Sequence, residues 1–486
     1  MSAESGGRVL SHAYCPWLII GLLALPAQAQ YGGGLGTLDQ PYRISTAAQF
    51  NAIGSKPGDW DKYFKLTADI DLRDLGSTQF RRIGTPQGGP FVGVFDGNSK
   101  TISNLRLYSE DESYLGMFGI VDAAEARIVN VTLLDPNVAG DNGRYVAALV
   151  GLLSNGTVTN CHVRGGDIRG TSFVGGLIAR RAGGATITDC TAAGTVRGST
   201  RVGGLIGGNL MGGVTRCQAA GEVWGDASSW SVGGLIGENE SAPVTVCRAC
   251  STVEGNDSVG GLIGKNITAA ISACAVEAMV RGDTNTGGLL GQNAGGKITD
   301  CYAVAGVTGT TSPGGLVGYL GPSCGCKEYI AGLVARSYAA GPVRGVGAGG
   351  LVGTSYRSSV DASFWDIEAT GCAFSAGGEG MATSPMYNRV TYANAGWGLA
   401  AKGKEETTNP WCLPVPKSYP HLAWERTGAD FNGDSRVDLR DFALVAKRWR
   451  QADTGSWSRN RYVAPDGIVD FDDLANLADL WLAHRW

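Results

Sequence analysis

One short apolar phrase recurs through the middle of the chain, and the flanking segments are arranged around it. In its commonest form it reads Val-Gly-Gly-Leu-Ile-Gly, and its central leucine returns at separations of 27 to 35 residues. A period near 27 residues with one strand-length phrase per period is typical of a solenoid, in which each repeat forms one coil. The central leucines are Leu149, Leu177, Leu205, Leu235, Leu262, Leu289, Leu316 and Leu351.

The remainder of each period is equally regular. A second phrase carries one cysteine, and a third is an apolar-x-Gly step such as Val253-Glu-Gly255. A small apolar residue follows two positions after each cysteine, on the same strand face, because side chains alternate with period 2. Glycine supplies the positive φ that tight corners need. The repeated cysteines are Cys161, Cys190, Cys217, Cys247, Cys274 and Cys301.

These patterns predict a mainly β fold, a right-handed parallel β-helix or β-solenoid of about 27-residue coils. Three short strands per coil would stack about 4.8 Å apart, with leucine, cysteine and valine columns filling a narrow core. The repeats occupy residues 126–357. The flanking residues 30–125 and 358–425 predict terminal caps, since a solenoid needs an atypical unit at each end. Within the first cap, 45–53 predicts a short helix and 114–119 a degenerate first coil.

The first 29 residues have the pattern of a signal peptide. Arg8 precedes the apolar run Trp17–Leu25, and an Ala-x-Ala sequence ends at Ala29. An uncleaved anchor is the alternative, although this run is too short for a spanning helix. We therefore expect a secreted, extracellular or cell-surface protein with no transmembrane segment after removal of the signal. The net charge of −4, with both signs spread along the chain, favours no nucleic-acid partner.

Because exported proteins enter an oxidising environment, the cysteines of this chain could be free thiols or form disulfides. The repeated cysteines occur at one position per coil, where a free thiol packs as a small apolar residue. Stacked strands do not forbid disulfides between them but hold their Cβ atoms slightly too far apart. The cysteines outside the repeat are the better candidates for disulfides: Cys324, Cys326, Cys372 and Cys412.

The repeated phrase resembles the motif of the GLUG family, named for a Gly-Leu-x-Gly core that occurs here as Gly234-Leu235-Ile236-Gly237. The resemblance covers residues 40–425 and includes the period, the cysteine position and the apolar-x-Gly step. It implies an extracellular surface or adhesin-type protein. Some members of the family are attached to an immunoglobulin-cleaving metalloprotease.

Residues 426–486 contain a candidate calcium loop. Oxygen-bearing groups alternate at loop positions 1, 3, 5, 7, 9 and 12, the spacing at which an EF-hand-like loop binds Ca²⁺. Ser435 replaces the usual glycine at position 6, and the last ligand is an aspartate rather than the longer glutamate. A helix with an apolar face follows. The predicted ligands are Asp430, Asn432, Asp434, Arg436 through its carbonyl, Asp438 and Asp441.

A second, damaged copy follows, with candidate ligands Asp466, Asp470 and Asp473. Its first two ligand positions are Tyr462 and Ala464, which offer no carboxylate. Two such loops, each followed by a helix, resemble a type I dockerin, and a solvated acidic tail is the alternative. The resemblance implies calcium-dependent docking onto a cohesin-type protein module. Its partner-binding positions correspond to Leu439, Arg440, Phe471 and Asp472.

One candidate ligand surface follows from the repeat itself. The middle residue of each apolar-x-Gly step points outward, and arginine or tryptophan occupies most of these positions. With Trp230, Tyr302 and Tyr338 nearby, they predict a stripe that binds sugar or acid. A plain solvated face is the alternative, because Glu254 and Thr308 interrupt the stripe. The stripe residues are Arg169, Arg197, Trp224, Arg281 and Arg344.

The sequence contains no motif that assigns catalysis. There is no HExxH or GxSxG sequence, the chain has four histidines, and no catalytic residue is predicted. We expect a secreted, non-catalytic repeat protein for adhesion or polysaccharide contact, attached through a calcium-dependent dockerin-like module. The alternative is a carbohydrate-active β-helix enzyme, a polysaccharide lyase or hydrolase, delivered by the same module.

Overall fold

The structure is a computed structural model that describes residues 31–76, 79–110, 112–324, 329–399, 410–413 and 418–426. The predicted signal peptide lies outside these residues. So does the predicted dockerin-like module, apart from its first residue.

The described chain forms a parallel β-solenoid of about 11 turns with few helices, which confirms the mainly β solenoid. Neighbouring coils pair in register along the repeated phrases. Val253, for example, pairs with Val223 of the preceding coil and with Val280 of the following one. Parallel pairing extends back to Tyr42, which pairs with Phe64. Stacking therefore begins within the region predicted as the amino-terminal cap.

The central coils contain four strand pieces rather than the three predicted. In one coil these are Ile263–Ile267, Ala270–Ser272, Ala275–Gly282 and Thr284–Gly287. The additional piece is the three-residue strand before the cysteine; it ends at Ser272, and Ala273, with a φ of 50°, then turns the chain. Three residues carry too little alternation for the sequence pattern to separate them from the next strand.

The repeated glycine-leucine phrase forms one face of the solenoid, a nine-stranded parallel sheet. Its strands are Phe118–Val121, Val150–Leu153, Ile178–Arg181, Ile206–Leu210, Ile236–Glu240, Ile263–Ile267, Leu290–Ala294, Val317–Gly321 and Val352–Ser355.

The other faces form a 26-stranded sheet that bends around the corners of the coils. Its strands from Tyr42 to the middle of the chain are Tyr42–Ile44, Tyr63–Leu66, Ile70–Asp71, Val94–Ser103, Arg106–Ser109, Arg127–Leu134, Asn137–Ala147, Thr157–Gly175, Thr186–Thr188, Thr191–Gly203, Val214–Thr215, Gln218–Gly233 and Val244–Thr245. The remaining strands are Arg248–Glu254, Asp257–Gly260, Ala270–Ser272, Ala275–Gly282, Thr284–Gly287, Lys297–Thr299, Tyr302–Thr311, Leu333–Ala335, Tyr338–Ala339, Val343–Val346, Ser359–Asp361, Phe364–Asp366 and Glu379–Met381.

Leucine and cysteine columns fill the core as predicted. The central leucines and the six repeated cysteines are fully buried. The cysteines are free thiols whose sulfur atoms approach backbone carbonyls; Cys274 Sγ, for example, is 3.2 Å from the oxygen of Ser272. Burial raises the pKa of Cys190, Cys217 and Cys247. These thiols pack as small apolar side chains.

The paired glycines of the phrase are required by the close approach of neighbouring coils. A Cβ atom on Gly234 would collide with the backbone oxygen of Gly261 in the next coil. A side chain at this position would push the coils apart, so the phrase keeps glycine there.

A ladder of buried amides runs through the same core. The side chain of Asn209 donates to Asn239 at 2.6 Å, Asn239 donates to Asn266 at 2.8 Å, and Asn266 donates to Asn293 at 2.8 Å. The buried guanidinium of Arg181 donates to Asn209 Oδ1 at 2.7 Å and ends the ladder. Each amide is therefore paired, which is the condition for tolerating polar groups in a core.

Helices are short and lie near the two ends. The predicted amino-terminal helix is observed at Ala47–Gly54, where the Thr46 side chain accepts from the backbone N–H of Gln49 and Phe50 is buried. In the described residues, no helix has the length and apolar character needed to cross a membrane. The other helices are Ile367–Thr370, Thr383–Met386 and Arg389–Asn394, with 3₁₀ turns at Pro57–Asp59 and Ala423–Arg426.

Among the residues described, two antiparallel hairpins leave the parallel stack. Ser323–Cys324 pairs with Tyr329–Ile330 in the long separation before Leu351. Trp411–Cys412 pairs with His421–Leu422. The second hairpin belongs to a segment that we name the clasp, residues 410–413 and 418–426.

The clasp lies against the outer side of the solenoid. The hydroxyl of Tyr302 donates to Glu425 Oε1 at 2.8 Å, and that of Tyr338 donates to the Pro420 oxygen at 2.9 Å. The indole of Trp424 donates to the backbone oxygen of Ala273 at 2.9 Å. The clasp thus covers one outer column of the carboxyl-terminal coils.

Candidate ligand-binding face

The predicted stripe forms one outward column in the structure. Its arginines are exposed and its tryptophan is half-buried. In register, the column runs through Arg169, Arg197, Trp224, Glu254, Arg281, Thr308 and Arg344.

The contacts of the stripe make it a weak ligand surface. Arg197 forms an ion pair with Asp167 of the preceding coil. The indole nitrogen of Trp224 donates to Glu222 at 3.1 Å. Glu254 and the stripe's single aromatic residue separate the arginines, so the column offers isolated charges rather than a continuous surface.

The expectation that Tyr302 and Tyr338 flank an exposed stripe is wrong. Their rings stack 5.1 Å apart with an angle of 6° between their planes, and they are 1% and 0% exposed. The clasp covers them, with the Trp411 ring 6.2 and 5.9 Å away. The covering residue follows more than 70 positions later, beyond the reach of the repeat pattern.

A different set of aromatic and arginine side chains stacks along the outer side of the amino-terminal coils; its members are half-buried, except that Phe173 is 8% exposed. Tyr114 and Tyr145 stack with their ring centroids 5.0 Å apart. The Phe173 ring lies 5.1 Å from that of Tyr145. We name this surface the aromatic–arginine ladder and define it as Tyr114, Tyr145, Phe173, Arg180, Arg201 and Trp230.

Guanidinium groups connect the rings. Arg180 Cζ lies 5.0 Å from the centroid of Phe173, and Arg201 Cζ lies 4.7 Å from the same ring. Arg201 also lies 4.2 Å above the ring of Trp230. All of these distances are within the range of a cation–π contact. Arginine therefore bridges the step from Phe173 to Trp230, where no ring stacks directly.

The ladder follows one corner of the solenoid. Tyr114, Tyr145, Phe173 and Arg201 all have positive φ, at 62°, 64°, 53° and 55°. At each of these corners the chain turns into the glycine-leucine phrase. The residue at the corner therefore projects from the rod at the same place in successive coils, and the side chains stack.

The charges of the ladder are unevenly compensated. Arg201 Nε lies 2.7 Å from a carboxylate oxygen of Glu238. Arg180 donates instead to the neutral hydroxyl of Tyr145 at 3.1 Å. Within the described residues no carboxylate lies within 4.0 Å of the Arg180 guanidinium. The exposed Arg144 lies over the Tyr145 ring at 5.5 Å. The surface thus carries a surplus of positive charge.

Sequence reasoning missed the ladder, although a signal was present. An aromatic residue immediately precedes the phrase in three consecutive units, at Tyr114, Tyr145 and Phe173. These positions lie outside the strand alternation, because they occupy the corners. Counting residues at the corner position along the repeats would have revealed the aromatic column.

The carboxylates next to the cysteine column are engaged in ion pairs between coils. Asp189 Oδ1 lies 2.8 Å from Arg216 Nε, and Asp300 Oδ2 lies 2.6 Å from Arg336 Nη2. Burial lowers the pKa of His162 to about 4, so this imidazole is neutral at physiological pH. Within the described ranges, no three His, Cys, Asp or Glu side chains are grouped so as to hold a metal ion.

The predicted calcium ligands and docking positions lie outside the described residues. They are Asp430, Asn432, Asp434, Arg436, Asp438, Asp441, Asp466, Asp470 and Asp473 for the metal, and Leu439, Arg440, Phe471 and Asp472 for the partner. They remain predictions.

Comparisons with known proteins find similarity over parts of the chain. No family model matches. Halomucin from Haloquadratum walsbyi is 33% identical over 160 residues, which cover 32% of this chain and 2% of that protein. A protein of Evansella cellulosilytica described as a Gly-rich membrane protein is 31% identical over 192 residues, covering 32% of this chain and 22% of the relative. This chain therefore spans only a small part of both relatives.

A search of solved structures finds a crystal structure from Bacteroides ovatus described as an immunoglobulin A1 protease. It is 19% identical and covers 81% of this chain and 96% of its own, with a TM-score of 0.35. The similarities leave the family of the chain open, and function has to be argued from the surface itself.

Proposed function

We propose that this chain is a secreted, non-catalytic repeat protein that contacts polysaccharide through the side of its solenoid. The observation that carries the proposal is the aromatic–arginine ladder, which extends from Tyr114 to Trp230 across several coils. Aromatic rings with a few polar groups beside them are the usual lining of a ligand-binding surface. A surface that repeats with each coil suits a ligand that also repeats, such as a polysaccharide.

The proposal places the protein outside the cell and attaches it through residues 426–486. The signal-peptide pattern of residues 1–29 and the resemblance to the GLUG family support the location. The spacing of oxygen ligands from Asp430 to Asp441 supports a calcium-dependent, dockerin-like module. Its partner would be a cohesin-type module.

The rod is tested by incubating the mature protein, in calcium, with a panel of plant and algal polysaccharides. Bound protein and released sugars are measured in the same tubes. We expect binding without new oligosaccharides. New oligosaccharides would favour the alternative, a polysaccharide lyase or hydrolase on the same fold, and the absence of any binding would remove the proposal for the rod.

The attachment module is tested by calcium titration calorimetry on the mature protein and on Asp430→Ala. This substitution removes the first ligand of the intact loop, and we expect it to abolish the tightest binding event. Asp466→Ala in the damaged loop is the matched control and should leave that event in place. Unchanged calcium binding by Asp430→Ala would contradict the predicted loop.

A further inference from the structure

We propose that the aromatic–arginine ladder binds an anionic polysaccharide, one that carries carboxylate or sulfate groups and lies along the rod. This inference rests on the proposed function and names the chemical class of its ligand. It follows from the ring surface, the guanidinium groups, the local charge and a comparison with the clasp.

The rings form a stack along the rod rather than a pocket: Tyr114 and Tyr145 cover a face of each other, with 18° between their planes, and Phe173 is 8% exposed. Gly208 lies directly under Phe173, and a Cβ atom there would come within 2.6 Å of the ring. The missing side chain lets the ring lie close to the sheet. The half-buried Tyr114, Tyr145 and Trp230 leave an apolar strip along the rod, against which the C–H groups of an extended sugar chain can pack.

The two ladder arginines present hydrogen-bond donors beside this surface. Each guanidinium lies over an aromatic ring, with Arg180 5.0 Å from Phe173 and Arg201 4.2 Å from Trp230. A guanidinium held by an aromatic face can still donate from its edge, and its fork of N–H groups matches carboxylate and related oxyanions.

The local charge favours an anion over a neutral polymer. Glu238 compensates Arg201, whereas Arg180 bonds only to the neutral hydroxyl of Tyr145 among its described hydrogen bonds. Arg144 adds a second positive charge over the Tyr145 ring. An anionic ligand would compensate both charges.

The clasp shows which chemistry covers an aromatic column in this protein. It brings apolar surface, including Trp411, onto the stacked rings of Tyr302 and Tyr338. It also brings the carboxyl group of Glu425, which accepts from Tyr302; burial raises the pKa of this carboxyl group, and the nearby charge of Arg248 opposes that rise. The chain therefore covers rings next to an arginine with apolar groups and a carboxyl group. A carboxylated polysaccharide offers C–H groups and carboxyl groups to the open ladder, where Arg180 and Arg144 favour the ionised form of the ligand.

The test compares matched polymers by affinity electrophoresis of the mature protein in calcium. Dextran and dextran sulfate differ only in sulfate, and methyl-esterified and free polygalacturonate differ only in free carboxylate. We expect retention by both anionic polymers and weaker or no retention by the neutral forms. Added salt should weaken the binding because it screens the contacts.

The ladder is then tested with matched variants. Trp230→Ala and Arg180→Gln should each weaken binding of the anionic polymers on the order of tenfold. Trp224→Ala and Arg281→Gln change the same residue types in the predicted stripe and should have little effect. The thermal unfolding of each variant is measured as well, and an unchanged unfolding temperature shows that a loss of binding does not come from misfolding.

Other outcomes separate the two proposals. Equal binding of neutral and anionic polymers would overturn the anionic inference and leave the polysaccharide-binding rod intact. An equal loss from the ladder and stripe variants would overturn the assignment to the ladder. If no polymer retarded the protein and the protein bound an acidic peptide instead, both proposals would be overturned.

Discussion

Two aromatic columns lie on the outer side of the coils that the structure describes, and the clasp covers one of them. In the carboxyl-terminal coils Tyr302 and Tyr338 stack under the clasp and are almost inaccessible. In the amino-terminal coils Tyr114 and Tyr145 stack at nearly the same distance, 5.0 against 5.1 Å, yet both are half-buried. The same stacking therefore occurs with and without a cover.

The difference indicates that one aromatic column contributes to stability and the other to ligand recognition. Under the clasp each tyrosine hydroxyl bonds to the covering segment, so the column belongs to the folded core. In the ladder the Tyr145 hydroxyl instead accepts from Arg180, and the rings hold arginines at the surface. One column joins the clasp to the rod, and the other is organised as we expect for a binding surface.

The largest expected effect is a difference in stability between two variants, one at a tryptophan of the clasp and one at a tryptophan of the ladder. Trp411 is fully buried, so Trp411→Ala should destabilise the protein by about 3–5 kcal/mol through the cavity that it leaves. Trp230 is half-buried, and Trp230→Ala should cost less than about 1 kcal/mol. Urea unfolding of the mature protein measures both. A similar loss in the two variants would mean that the ladder is a structural column like the clasped one.

The clasp should also respond to pH. Burial raises the pKa of Glu425 to about 7, with the nearby charge of Arg248 opposing the shift and that of Glu277 reinforcing it. Because the folded state holds this proton more tightly than the unfolded state, the stabilisation is complete below about pH 4.5 and is lost as the pH rises through about 7. Between pH 5.5 and 8 the loss should be about 2 kcal/mol.

Hydrogen exchange of the strand beginning at Tyr302, measured at pH 5.5 and 8, tests this dependence once intrinsic exchange rates are corrected. Glu425→Gln is neutral at both pH values and should remove the difference. The ladder peptides around Tyr145 serve as the internal control. An equal pH response there would show that the effect does not come from the clasp.

A smaller effect is expected from a substitution at Gly208, which lies under the Phe173 ring of the ladder. Gly208→Ala places a methyl group against the Phe173 ring and should displace it. We expect a destabilisation of about 1 kcal/mol and a several-fold loss of affinity for the anionic polymer. Gly213→Ala is the control, because its nearest neighbours are 4.0 Å away. Unchanged affinity in Gly208→Ala would show that the position of the Phe173 ring does not matter.

The smallest expected effect tests how charge in the ladder contributes to binding. Glu238→Gln removes the partner of Arg201 and should strengthen binding of dextran sulfate about two- to fivefold, the range of a partly exposed ion pair. Affinity for neutral dextran should not change. Weaker binding of the sulfated polymer would mean that Glu238 positions Arg201 rather than competing with the ligand.

The repeat predicted the core because interior positions recur with the period. Leu235 and Cys247 are buried as the pattern requires, and Gly234 is fixed by the approach of the next coil. The coils before residue 126 were harder to recognise, since their strands lack the glycine-leucine phrase although Tyr42 pairs in parallel with Phe64.

The outer surface was predicted less well, for two physical reasons. The cover of Tyr302 comes from Trp411 and Glu425, which are distant in sequence. The ladder depends on Tyr145 and Phe173 at corners, where the alternation that marks strands does not apply. The stripe was placed correctly as a column because its residues do follow that alternation.

Hydrogen exchange of the mature protein with and without dextran sulfate tests the central claim most directly. We predict that the polymer slows exchange in the peptides that contain Tyr145, Phe173, Arg201 and Trp230, and leaves the clasp unchanged. Slower exchange confined to the peptides of Arg281 and Arg344, or no change at the ladder with the polymer bound, would contradict the account.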